Sequence, residues 1–161
     1  MVTRGESIPQ GPGIYALWLV ASAPASIDVG KLGTVHIAPG RAYIYVGSAM
    51  GGLASRLGRH LSTAGKKKHW HIDYLLEHLH VRAVFFAITT TRKECEISRA
   101  INGLASHFTP VNGFGNSDCR TCNSHLYEGS TSDEEDLIAD MLGAAFRSSG
   151  LQPEVAFLAK N

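Results

Sequence analysis

The first strong pattern in the chain is Ile14-Tyr15-Ala16-Leu17-Trp18-Leu19-Val20, a near-continuous apolar and aromatic run whose length suits a buried strand. Residues 1–12 precede it and carry Pro9, Gly11 and Pro12, which predict an irregular lead-in. Ser26 to Val29 and Thr34 to Ile37 are placed to pair across Gly30-Lys31-Leu32-Gly33 as a hairpin, and Pro39-Gly40 turns the chain into a strand over Arg41 to Val46. The period then changes. Leu53, Leu57 and Leu61 share one face of a helix that reaches about Thr63, and a second helix runs roughly from Trp70 to His80. Val81 to Thr89 is rich in strand formers, and Thr91 is placed to cap a helix from about Arg92 to His107. Residues 109–132 are rich in Gly, Asn, Ser and Cys and read as an ordered loop. Asp133 to Ser148 forms the last helix, with acidic residues in its first turn where the macrodipole favours them. The sum is a mixed α/β (α+β) protein, a small antiparallel sheet flanked by helices. No internal repeat or low-complexity tract interrupts it.

Composition narrows the classes. A chain of 161 residues with 44% hydrophobic and 18% charged residues fits one domain with a proper core. A formal charge of +1 excludes a molecule that binds nucleic acid by its overall charge. The charge is unevenly spread: Arg56 to His80 is rich in Arg, Lys and His, whereas Ser132 to Asp136 is acidic. Three cysteines cannot form a complete disulfide framework, and with no signal-like start the expected compartment is the cytoplasm. The apolar runs Ile14 to Val20 and Val81 to Ile88 are too short to cross a bilayer as helices.

Several side chains stand where chemistry is available. Arg56 and His60 are four apart on one helix surface, at the rim of the Leu53–Leu57–Leu61 stripe. A guanidinium there can hold a phosphate through paired hydrogen bonds, and an imidazole can accept a proton; an exposed pair on a half-buried helix is the plainer reading. On the next helix the core stripe is Ile97, Ala100, Ile101, Leu104 and Phe108. Glu94 falls about 60° from its centre and Glu96 about 100° away on the other side. Glu94 is therefore the carboxylate that faces a site and Glu96 the solvated one. One carboxylate suits Mg²⁺, which keeps several waters and takes substrate phosphate oxygens. Cys119-x-x-Cys122-x-x-His125 has the ligand types and spacing of part of a zinc site, with Cys95 or His107 available as a fourth ligand; a redox-labile pair or plain packed thiols are the alternatives. Trp70 can stack on a base, although a core anchor is the expected role for a lone Trp.

Gly13-Ile14-Tyr15 followed by Tyr45-Val46-Gly47 resembles the paired signature of the GIY-YIG nuclease superfamily, with Val46 in place of the second Ile. Arg56, His60 and a helix bearing Glu94 follow in the order that superfamily uses. Lys67-Lys68-His69-Trp70-His71-Ile72-Asp73-Tyr74-Leu75-Leu76, Glu94-Cys95, Gly113-Phe114-Gly115-Asn116-Ser117-Asp118-Cys119 and Ser124-His125-Leu126 extend the likeness to a single-domain subgroup common in archaea. The resemblance covers roughly residues 11–128 as the nuclease-like domain, with the Ser26–Ile37 hairpin as an insertion and 129–161 as an acidic C-terminal helical extension packed on it.

What the resemblance implies is a Mg²⁺-dependent (or Mn²⁺-dependent) endonuclease acting on DNA rather than RNA. It places Tyr15 and Tyr45 on adjacent strands facing the scissile phosphate, Arg56 on the developing charge and Glu94 on the metal. Tyr15 or His60 takes the proton from the attacking water. Gly47, Ser48, Lys67, Lys68 and His71 are the expected substrate contacts; where repair-type members have Lys after the second motif this chain has Ser48, for which Lys66 to Lys68 or His71 can substitute. His71 and Asp73 equally suit a network at a helix N-terminus, and Asn112 and Asn116 are both candidates for the Asn that many members carry. No separate DNA-reading module is present in the sequence, so structure-selective cleavage of branched, nicked or damaged DNA, or delivery by a partner protein, is expected. A nucleic-acid-binding module that has lost turnover and a zinc-stabilised interaction domain are the rival expectations.

Overall fold

The computed structural model describes residues 8–62, 67–104, 107–115, 122, 124–129 and 135–158. Three long strands form the centre of an antiparallel sheet: β1 (Gly13–Val20), β4 (Ala42–Ala49) and β5 (His80–Ile88). Short strands β6 (Phe108–Pro110), β7 (Leu126–Gly129) and β8 (Glu154–Phe157) extend it, giving the order β6-β7-β4-β1-β5-β8. The insertion forms its own two-stranded hairpin of β2 (Ala25–Asp28) and β3 (Thr34–Ile37), joined through a 3₁₀ turn at Gly30–Leu32. Four helices complete the α+β architecture: α1 (Leu53–Leu61), α2 (His71–Leu75), α3 (Glu94–Asn102) and α4 (Glu135–Ser148).

The pleat sorts the central strands into two cores, because successive side chains point to opposite faces. Tyr15, Leu17, Leu19, Tyr43, Tyr45, Val84 and Phe86 face α1, α2 and the hairpin. Ile14, Ala16, Trp18, Ile44, Val46, Ala83, Phe85 and Ala87 face α3 and α4, whose Ile97, Ile101, Ile138, Leu142 and Phe146 close the second core. The register shifts between Trp18 and Leu19, where Ala83 and Val81 are the successive partners on β5. The unpaired residue is Arg82, which reaches Glu135 of α4 at 2.6 Å.

Three expectations are corrected. The second helix ends at Leu75, because the chain turns over 76–78 so that His80 can pair with Val20. The third helix starts at Glu94 rather than Arg92 and stops at Asn102 before Gly103; Lys93 is its N-cap and Thr91 does not cap it. Residues 109–132 are not all loop, since β7 lies within them. β8 was not expected either. Asp133 and Thr63 lie outside the described residues. The acidic first turn of the last helix holds Glu135 and Asp136. Among the described residues, no helix is long and apolar enough to cross a membrane.

Candidate active site

Tyr15 and Tyr45 come from neighbouring strands and share one face because their positions have the same parity across the β1–β4 ladder. Tyr15 pairs with Gly47 and Leu17 with Tyr45, so the phenols are diagonal neighbours with ring centroids 6.3 Å apart. Gly47 sits inside β4 rather than in the turn after it. The reason is steric: a Cβ on Gly47 would lie 2.5 Å from Tyr15 Oη, so only glycine leaves room for the phenol to lie across the strand. Gly115 makes a second close approach, with φ of +70° and a would-be Cβ 3.1 Å from the Tyr45 ring.

α1 leaves this face with Leu53 and Leu57 buried against it, and its rim carries three polar side chains. His60 is only 3% exposed and its Nε2 hydrogen-bonds the Tyr15 hydroxyl at 2.7 Å. Arg56 Nη1 donates to the Ser48 carbonyl at 3.0 Å, and its guanidinium lies 4.3 Å from the centre of the Trp70 ring. Arg59 stacks on the same ring at 4.9 Å and donates to Asp73 Oδ2 at 2.6 Å. Asp73 is fully buried, and the same oxygen accepts the backbone N–H groups of His69 and Trp70. The helix N-terminal network expected for Asp73 is therefore present, and it fixes the segment that holds Trp70 over Arg56.

Beside these groups opens a cleft of about 260 Å³. Around it stand Tyr15, Tyr45, Gly47, Ser48, Arg56, His71 and Glu94, together with Arg92, Trp70, Cys95 and His125. Glu94 is half-buried, and its Oε2 is shielded from solvent without a hydrogen-bond partner among the described residues, whereas Glu96 is exposed. His71 Nδ1 accepts the Gly115 N–H at 2.9 Å, which ties α2 to the loop before β7.

Burial pushes the Tyr15 hydroxyl well above its ordinary value of 10.0, with Tyr45 adding to the rise and Arg56 opposing it. Burial also pushes Tyr45 up to about 12, against the pull of Arg56. Both phenols are neutral O–H groups at neutral pH. His71 is lowered by burial, consistent with a neutral ring accepting at Nδ1. Asp73 is opposed by burial yet held below its ordinary carboxylate value by the Trp70 and His69 N–H groups and by Arg59.

Not every expected residue reaches the cleft. Lys67 and Lys68 stay outside its lining: the Lys67 carbonyl accepts from Arg59, and Lys68 pairs with Glu77 at 3.2 Å. His60 stands behind Tyr15 rather than on the cleft wall. Asn112 is exposed and away from the lining, and Asn116, Lys66 and Cys119 lie outside the described residues. Of the zinc candidates, Cys122 and His125 are joined by Cys95, their ligand atoms all within 4.8 Å of one another; His107 is not in this group. Arg92 and the Arg59–Asp73 pair were missed. For Arg92 the available signal was a second guanidinium two residues before Glu94.

Fold and cleft together define an α+β protein with a polar cleft opening beside the Tyr15 and Tyr45 face of an antiparallel sheet. The family described as Domain of unknown function DUF123 matches residues 14–147, and the chain belongs to that family. No curated protein and no solved structure matches it.

Proposed function

We propose that this protein is a metal-dependent endonuclease of the GIY-YIG type, hydrolysing phosphodiester bonds in DNA of particular structure or brought to it by a partner. One observation supports the reading above all: Tyr15, Tyr45, Arg56 and Glu94, from four different elements, line one cleft.

Each group has a role that its surroundings favour. Arg56 is held by Ser48 and Trp70, so its remaining donors are pre-oriented toward a phosphate and toward the charge that develops as water attacks. Arg92 adds a second guanidinium at the cleft wall, in the position the lysines do not occupy. Tyr45, neutral with its hydroxyl raised to about 12, donates to a phosphate oxygen. Tyr15 is too weak an acid to act as a resting phenolate. The attacking water gives its proton to Tyr15 Oη as Tyr15 passes its own to His60 Nε2 across the 2.7 Å bond. His60 thus serves as the base although it does not touch the cleft.

The residues present fit a divalent ion, since Glu94 Oε2 is a shielded carboxylate oxygen with no hydrogen-bond partner among the described residues. Glu94 would hold Mg²⁺ or Mn²⁺, which would supply Lewis-acid stabilisation of the charge developing on the leaving oxygen. Water attack without a covalent tyrosyl intermediate leaves 5′-phosphate and 3′-hydroxyl ends.

The test is cleavage of labelled duplex, single-stranded, nicked, flapped and four-way DNA with Mg²⁺ or Mn²⁺. Metal-dependent cutting is expected, reduced about a hundredfold or more by Glu94→Ala and retained in Glu96→Ala. Binding without cutting on every substrate would replace this reading with a nucleic-acid-binding module of the same fold.

A further inference from the structure

The thiol and imidazole cluster beside the cleft is not used by the proposed hydrolysis. Cys95 is the second residue of α3, Cys122 lies in the loop ahead of β7, and His125 immediately precedes β7. Cys122 and His125 are buried and Cys95 is half-buried. Cys95 Sγ lies 3.8 Å from His125 Nε2, and Cys122 Sγ lies 3.8 Å from the Cys95 carbonyl. A tetrahedral zinc with Zn–S of about 2.3 Å and Zn–N of about 2.0 Å places such ligand atoms about 3.6 Å apart. The Cys95–His125 separation already fits that spacing, and the three ligand atoms all lie within 4.8 Å of one another.

The backbone around the cluster is fixed independently. His125 donates its N–H to the Phe114 carbonyl at 2.8 Å, and its own carbonyl accepts from Val46 of β4 at 2.9 Å. One helical turn after Cys95, Ser98 Oγ donates to the Ser124 carbonyl at 2.7 Å, so this face of α3 is turned toward the 122–125 segment. Two sulfurs and one imidazole favour a soft or borderline ion over Mg²⁺ or Ca²⁺, and among common ions the set suits zinc.

We propose that Cys95, Cys122 and His125 hold one zinc ion, which clamps the first turn of α3 to the segment entering β7. The clamp adjoins Glu94, so it also sets where that carboxylate stands in the cleft. Adjacent residues of one helix then serve two cations of opposite preference: Glu94 a hard ion that exchanges with water and substrate, Cys95 a soft ion that stays. This assignment does not depend on the nuclease reading, because its measurements need no DNA.

Metal analysis of the purified full chain should find about one zinc per chain. Cys95→Ser and Cys122→Ser should each lower it to less than about a tenth, while Glu96→Gln, one residue from Cys95 and exposed, keeps it. Because a variant can fail to fold, the unmodified chain is also reloaded with Co²⁺ after chelation; sulfur-to-cobalt charge-transfer absorption with the intense visible bands of a tetrahedral site is the expected signature. Wild-type protein that carries no zinc and gives no such absorption overturns the proposal, as does full zinc content in a folded Cys95→Ser protein.

Discussion

The two faces of the central sheet are built from the same three strands, yet they do different work. On the face covered by α3 and α4, these strands present Ile, Ala, Trp, Val and Phe, closed by mostly apolar helix positions around one buried polar group, Ser98, bonded to Ser124 and Tyr127. On the other, phenols alternate with aliphatics, and the covering helices bring Arg56, Arg59, His60 and Asp73 to the rim. The second face therefore supports its packing with the Tyr15–His60 and Arg59–Asp73 bonds, and breaking either strands a buried polar group at a cost larger than the bond itself contributes. Parity along a strand decides which kind of residue is being changed.

The sharpest break of this comparison is on the apolar face. Phe146→Ala should cost about 3–5 kcal/mol of stability, read by urea unfolding, and leave cleavage per folded molecule unchanged. On the polar face Asp73→Ala should cost a similar or slightly smaller amount, about 3 kcal/mol, by leaving Arg59 without its buried partner; unlike Phe146→Ala it should also impair cleavage, by freeing Trp70. Equal stability losses with equal activity losses in the two variants would erase the distinction. Tyr15→Phe should differ from Phe146→Ala in its weight on activity: cleavage falls by about 10²–10⁴-fold while stability falls by about 1–3 kcal/mol, because buried His60 Nε2 loses the Tyr15 hydroxyl.

Acid should act on the polar face in two stages. His71 has a folded value below its ordinary 6.5, so the unfolded chain takes up its proton first. Its contribution is present above that pH and is lost as pH falls toward the folded value. Asp73 is held below 3.8, so its contribution persists until pH drops below that value and disappears through the lower folded one. Urea midpoints recorded against pH should show both stages, and His71→Gln should remove the first. The smallest effect is expected from Lys68→Ala, within about 0.5 kcal/mol, because its pair with Glu77 is exposed.

The long strands and α1 were legible because each carries a strong local period: eight or nine strand residues, or leucines four apart. The direction of Glu94 was legible from helical phase, whereas the pairing of Tyr15 with Tyr45 was expected from the family resemblance alone, and strand parity accounts for it in the structure. What escaped depended on contacts distant in sequence. β6, β7 and β8 have only three or four residues, and β6 contains a proline, so their strand character comes from the neighbours they pair with. Lys67 and Lys68 looked basic enough to hold substrate, but Asp73 gathers the His69 and Trp70 amides with Arg59, and the lysines are left outside the cleft. Cys95 was one of two candidates to join Cys122 and His125, and the choice of Cys95 over His107 needs α3 and the 122–125 segment to meet, which no spacing reveals. Trp70, expected as a core anchor, packs at the edge of the core and is also the platform for two guanidinium groups.

The shortness of the outer strands has a consequence for how copies of this protein behave together. The three strands long enough to template growth of a cross-β assembly, β1, β4 and β5, are all interior to the sheet. The outermost described strands offer a newcomer three residues on one side, ending in Pro110 with no N–H to give, and four on the other. A neighbouring chain seeking to extend the ladder finds too few donors and acceptors to hold on, which is how natural sheets resist aggregation from their edges.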